Sequence, residues 1–198
     1  LMPNKESETV CRCLKEVVEE LTTMGRSDMK VVRFHSDDDK SFHGRVSEWL
    51  VDQQIRQTDT GGYRPENNSR AERRIRMVNE AYKANLLTAT GGIDVYDHLW
   101  GPGLMYASHR VNVGVWVDGR SPWEQLTGSR PKLEASDHVF GAKCHVYKAK
   151  EHRKTKSEPH DLGIWVGKSR QVPDADVIVP VAWDPSTQSF ELGATKVA

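Results

Sequence analysis

Residues 31–39 read Val31-Val32-Arg33-Phe34-His35-Ser36-Asp37-Asp38-Asp39, and the reading of this stretch decides the fold. Its first five residues are mostly β-branched or aromatic, which favours an extended strand. Three carboxylates follow at what must be a turn. A strand that delivers acidic side chains at its carboxyl end is the arrangement α/β folds use to build sites. Outward from it towards the N-terminus, Val10, Leu14, Val17 and Leu21 recur at helical spacing and Gly25 follows as a stop. In the other direction Val46, Trp49, Leu50 and Gln53 predict a second helix, and Ile55-Arg56-Gln57-Thr58 a second strand. Residues 59–68 carry Gly61-Gly62 and Pro65 and predict a loop.

Over residues 71–87 the spacing of Ile75, Val78, Tyr82 and Leu86 predicts a long helix, with Arg70, Arg73, Arg74 and Arg76 at its start. Gly101-Pro102-Gly103 is expected to interrupt any helix, which resumes over 104–113. Ser121-Pro122-Trp123-Glu124 has a Ser cap, Pro at the first helical position and Glu three residues after the cap, so a short helix begins there and Gly128 closes it. After residue 136 the texture turns to strand, at 139–147, 162–166, 177–183 and 189–192. The predicted organisation is an α/β part over 1–115, a connector with a short helix over 116–135 and a small β-rich region over 136–198.

Of 198 residues 37% are apolar, and six Trp, five Tyr and four Phe supply material for a core, which excludes wholesale disorder. No apolar run approaches the roughly 20 residues needed to span a bilayer, and the first ten residues have no signal-peptide core. The expected setting is intracellular, nuclear if the host is eukaryotic, with no secretion and no membrane partner. Three cysteines make a disulfide framework implausible, and Cys11 with Cys13 has no second ligand pair at zinc-site spacing. The chain opens on Leu1, which suggests a piece cut from a longer polypeptide. Lys+Arg and Asp+Glu balance at 28 each, yet residues 142–157 hold six cations against Glu151, and residues 171–198 hold four anions against Lys196. The basic stretch suits a polyanion; the acidic end does not.

Asp37 lies at a strand end and Glu72 near a helix start, with a Gly/Pro/Asn loop between them. Oxygen ligands from two elements suit Mg²⁺, which keeps waters and substrate phosphate in its shell and assists phosphodiester chemistry. Ser69-Arg70-Ala71-Glu72 reads equally well as a capping box, and Asp37-Asp38-Asp39 as a solvated turn. His35 and His43 flank the turn and read as ordinary hydrogen-bonding partners. Trp100, Trp116, Trp123, Trp165 and Trp183 are expected in the core rather than as stacking platforms.

The wording around these residues adds to this. "HSDDDKSF" at 35–42 followed by "TDTGGYRPENNSRAERRIRMV" at 58–78 resembles the integrase of copia-type retrotransposons, where an S-D-N-G-x-E-F-like strand end precedes a Y-x-P-x-x-N-G-x-A-E-R-like helix start. Further along, "RSPWEQLTGSRP", "HVFGAKCHVY" and "HDLGIWVGKS" are similar to that family's P-x-E-L-x-G-x-x-P, V-F-G-C and K-G-x-F-V-G-Y segments, in the same order. The resemblance covers nearly all of residues 1–170. It implies an α/β, RNase H-like integrase core whose two aspartates and one glutamate hold Mg²⁺ or Mn²⁺, with a small β-rich region after it. On this resemblance Asp37 is the second aspartate and Glu72 the glutamate, both catalytic and metal-binding. The first aspartate belongs on a strand before the opening helix. No acidic residue upstream of Asp37 sits on a strand-like run, so the mixed sheet is expected to be N-terminally truncated and the ligand set within the chain incomplete. Asp38 and Asp39 stand where the family has Asn and Gly, Ser41 where an acidic residue is usual, and Ser69 where Gly is usual.

What this implies is a fragment of a retrotransposon integrase, working on element ends and target DNA and oligomeric in the intact protein. Asp37 and Glu72 are expected close enough to share one or two ions. The residues expected to hold DNA backbone are Arg70, Arg73, Arg74 and Arg76 beside the site, and Lys143, Lys148, Lys150, Arg153 and Lys154 in the basic stretch. A catalytically dead relic that only binds nucleic acid or a partner is the alternative. A cut-and-paste transposase or an RNase H-type nuclease would share the carboxylate logic, but the segments after Ser121 argue against both.

Overall fold

A computed structural model describes residues 4–60, 69–90, 99–114, 118–131, 138–148, 160–169, 172, 175–184, 189–193 and 196–197. The fold is mixed α/β: helices beside a small parallel sheet, then an antiparallel sheet. Two compact units divide the chain, one of Leu1–Met77 with Asn112–Lys132 and one of Val78–Val111 with Leu133–Ala198.

The first unit opens with α1 (Ser7–Met24), which ends at Gly25 as predicted. Strand β1 (Arg33–Ser36) leads through a 3₁₀ turn (Lys40–Phe42) and α2 (Arg45–Asp52) into β2 (Arg56–Asp59). This is a βαβ unit, with β1 and β2 parallel and Arg33 opposite Arg56 through Ser36 opposite Asp59. Its core is Val10, Cys11, Val46, Leu50 and Ile55, with Leu14, Val18, Phe34, Phe42 and Trp49 packed around them. The buried stripe of α1 is thus Val10, Cys11, Leu14 and Val18. Val17, expected to belong to it, is 49% exposed, and Leu21 is exposed as well. Cys11 takes an inward position on Arg45, its Sγ 3.7 Å from the carbonyl oxygen, and the stripe is rotated towards it.

Helix α5 (Pro122–Thr127) forms as its sequence predicts: Ser121 Oγ accepts from the Glu124 N–H, and Gly128 adopts the left-handed conformation at the far end. Ser121 is 1% exposed, and removing its hydroxyl leaves the half-buried Glu124 N–H without its acceptor. Ser121→Ala is expected to cost about 1–2 kcal/mol, read as a shift in urea midpoint.

Helix α3 (Ser69–Thr90) supplies its first turns to the first unit and the rest to the second. Ile75, expected on its inner face, is 61% exposed, while Val78, Tyr82 and Leu86 are half-buried. The predicted break at Gly101-Pro102-Gly103 does not occur: α4 (Trp100–Val113) runs through it. Pro102 falls in the first turn, where no intrahelical N–H is lost. Gly103 is required by close approach, since a Cβ there would lie 2.6 Å from a ring carbon of Tyr82. Trp100 is 50% exposed rather than in the core, because it opens the helix; Trp116 lies outside the described residues.

The rest of the second unit is antiparallel: β3 (Lys143–Tyr147), β4 (His160–Lys168), β5 (Asp176–Asp184) and β6 (Ser189–Leu192) in order, with β7 (Lys196–Val197) also on β5. Leu99, Phe140, Ile164, Val166 and Val179 form its core. Gly141 has φ +84°, and a Cβ there would stand 2.3 Å from that of Ala89, so "VFG" is a packing motif: Phe140 fills the core and Gly141 lets α3 come close. Trp165 is buried, as expected, and its indole donates to Asp176 at 2.8 Å. Burial pushes the Asp176 carboxyl up, but the bonds from Trp165 and Lys168, with the charges of Lys168 and His138, outweigh it and hold it below the ordinary range.

Candidate functional site

The carboxyl ends of β1 and β2 are the part of the first unit where chemistry can gather, because parallel strands leave their last carbonyls and following side chains at one edge. The Thr60 N–H donates to the Ser36 carbonyl at 3.1 Å, which ties the two ends level. His35 Nδ1 lies 2.9 Å from Thr58 Oγ1, and that hydroxyl also reaches the Phe34 carbonyl. His35 is therefore a cross-strand hydrogen-bonding partner.

The three carboxylates after β1 have separate fates. Asp39 caps the 3₁₀ turn by accepting from the Ser41 N–H at 2.8 Å. Asp38 takes His43 Nε2 at 3.1 Å. Asp37 is exposed and receives no hydrogen bond or ion pair from a described residue. Of the three, only Asp37 is left available to an external cation.

The cap sets a pH dependence. The Ser41 backbone N–H first, then its side chain, and then Lys5 and His43, hold the Asp39 carboxyl below its ordinary value. The folded state thus binds this proton less readily than the unfolded chain does, at about 3.9. The stabilisation is complete above that value and lost as pH falls through the lowered folded one. Asp39→Asn is expected to lower the urea midpoint at pH 6 and to converge on the parent chain below about pH 4. A gap that stays constant with pH refutes this.

Glu72 stands in the first turn of α3, exposed and with no hydrogen bond or ion pair from a described residue. Ser69 is already inside that helix rather than ahead of it as a cap. At 100° per residue, Arg76 follows Glu72 at i,i+4 and shares its face, with Arg73 beside it, whereas Arg70 and Arg74 lie on the other side of the helix. All four arginines are exposed. Among the described residues α3 makes no broad contact with β1 or β2, and no three His, Cys, Asp or Glu side chains are arranged to hold a metal ion. The donor chemistry of Asp37 and Glu72, two exposed carboxylates, nevertheless suits Mg²⁺, which is commonly held by one or two carboxylates plus phosphate and water.

In the second unit Lys143 is exposed on β3, while Lys148 pairs with Asp161 at 2.5 Å and is partly neutralised. Lys150, Arg153 and Lys154 lie outside the described residues. Asp59 closes β2 opposite Ser36, although the composition of 59–68 predicts a loop from Asp59 onward. It is the last residue of the run Ile55 to Asp59, and a parallel partner for β1 is the signal that would have placed it.

No protein-family model matches the chain, and no curated protein is significantly similar. Several solved structures bear a likeness to it, among them the following two. The catalytic core domain of BIV integrase has a TM-score of 0.45 at 19% identity, over 63% of this chain and 72% of that one. The simian T-cell lymphotropic virus intasome in complex with PP2A regulatory subunit B56 gamma has a TM-score of 0.49 at 12% identity, over 98% of this chain and 65% of that one. One is an integrase core, the other an intasome. Superpositions this loose assign no role to any residue here.

Proposed function

We propose that the chain is part of a copia-like integrase that cuts and joins DNA, organised as 1–115, 116–135 and 136–198, and assembled in more than one copy on element ends and target DNA. The observation that carries this reading is Asp37: it directly follows β1 of a parallel pair, it is exposed, and neither its neighbours nor any described donor claims it. Glu72, equally unclaimed, opens the next helix among arginines. The five ordered segments from residue 35 to residue 169 support the same assignment.

Asp37 and Glu72 would hold the ion through carboxylate oxygens. Held there, Mg²⁺ or Mn²⁺ would supply neutralisation of charge at a phosphodiester and activation of the attacking oxygen. Arg76 shares the face of Glu72 and would position a phosphate near it, while Arg70, Arg73 and Arg74 would track backbone; Lys143, Lys148, Lys150, Arg153 and Lys154 would make the separate contacts of the basic stretch. Such contacts make binding weakly sequence-specific.

A second reading, DNA binding without chemistry, is favoured by one observation: Asp38, the neighbour able to act as a spare ligand, is paired with His43. Titration of the chain–DNA complex with Mn²⁺ separates the two. The integrase reading expects Asp37→Asn or Glu72→Gln to weaken Mn²⁺ at least about tenfold with DNA affinity retained. Unchanged Mn²⁺ binding in both variants leaves only the DNA-binding reading.

A further inference from the structure

The second unit carries two imidazoles that the integrase reading does not use. His145 of β3 and His160 of β4 have ring centroids 4.6 Å apart and planes at 85°. The ladder explains the meeting. His145 is opposite Leu162 and Tyr147 opposite His160, so these four side chains share one face and the two histidines are diagonal neighbours.

We propose that His145 and His160 form a two-imidazole site for a borderline divalent ion, Zn²⁺, on the exposed side of β3. Imidazole nitrogen suits Zn²⁺ and disfavours Mg²⁺, which takes oxygen. Two imidazoles bound through nitrogen at about 2.0–2.1 Å on a tetrahedral ion place their ring centres roughly 5 Å apart. The observed 4.6 Å is within a small side-chain adjustment of that separation. Both residues sit on a hydrogen-bonded ladder, so the pair is held in place before any ion arrives. His145 is exposed and His160 half-buried, which leaves further coordination positions to water or to a donor from another molecule. Lys143 shares the face and opposes a cation, whereas the charge of Lys148 is compensated by Asp161. The site is independent of Asp37 and Glu72 in position and in donor type.

The test is calorimetric titration of the whole chain with Zn²⁺, and with Mg²⁺ alongside. The expected result is Zn²⁺ binding that falls at least about tenfold in His145→Gln and in His160→Gln. An excess of Mg²⁺, which takes the oxygen donors of Asp37 and Glu72, should leave it unchanged. A readout on the unaltered chain covers the case of a variant that fails to fold: Zn²⁺ should slow modification of both His145 and His160 by diethyl pyrocarbonate. Wild-type Zn²⁺ affinity in the folded variants, or no protection of these two rings, overturns the proposal.

Discussion

Replacing Arg70, Arg73, Arg74 and Arg76 together with alanine is expected to flatten the salt dependence of duplex DNA binding by up to ~3.6 units on a log–log plot, about 0.9 for each phosphate no longer neutralised. Across the interval from 50 to 200 mM salt, contacts of that number account for an affinity change of about 150-fold. All four side chains are exposed, so their removal leaves both cores intact and the loss reads as binding rather than unfolding. The helix divides the effect. Arg70, Arg73 and Arg74 lie within about one third of a turn of each other and can follow one strand of backbone, whereas Arg76 sits on the face of Glu72. The triple variant should therefore remove most of the slope, up to ~2.7 units, and Arg76→Ala should act mainly where a metal is present. Measurement is by fluorescence anisotropy at four or more salt concentrations. A slope unchanged in the quadruple variant makes this end of α3 a solvated surface and nothing more.

The largest effect on stability is expected at Phe140. It is 1% exposed, packs with Leu99, Ile164, Val166 and Val179, and meets the Tyr106 ring at 5.6 Å. Phe140→Ala removes that contact area and leaves a cavity that helix and sheet cannot close, at a cost of about 3–5 kcal/mol. Against a typical total of about 5–15 kcal/mol, this is enough to unfold the second unit in mild urea. Phe140→Leu keeps most of the volume and should cost well under half as much. Hydrogen exchange resolves the effect by element: β4 and β5 should lose protection while α1 and α2, built on the other core, keep theirs. Uniform loss in both, or a cost below about 1 kcal/mol, contradicts the packing described.

Much of this architecture was readable from the chain because local and tertiary preferences agree there. The helix over Ser7–Met24 and the capped helix at Ser121 carry their own punctuation, in Gly25 and in the Ser-Pro pair with Gly128, and the strand–helix–strand unit is marked by its apolar pattern. The failures have one physical source. Periodicity states that a face is apolar and not which residues another element covers, so Cys11 took a place expected for Val17, and Ile75 faces solvent. Pro102 predicts a break, because a sequence does not reveal that it falls in a first turn. At the candidate site, Asp37 could be singled out only by resemblance. Its separation from Asp38 and Asp39 depends on His43 and on the Ser41 N–H, whose reach is a matter of three-dimensional geometry.

The strand ladders have a bearing on how the chain comes to be folded. Among the described strands no pairing joins residues more than 23 positions apart: β1 to β2 is the longest, and β5 to β6 closes over 11. Loop closure of this length is entropically cheap, and sheets with such local pairing form quickly. At a synthesis rate of about 5–20 residues per second, the partner of each strand emerges within a few seconds of the strand itself. Each sheet can therefore be completed on the ribosome in the order in which it is translated.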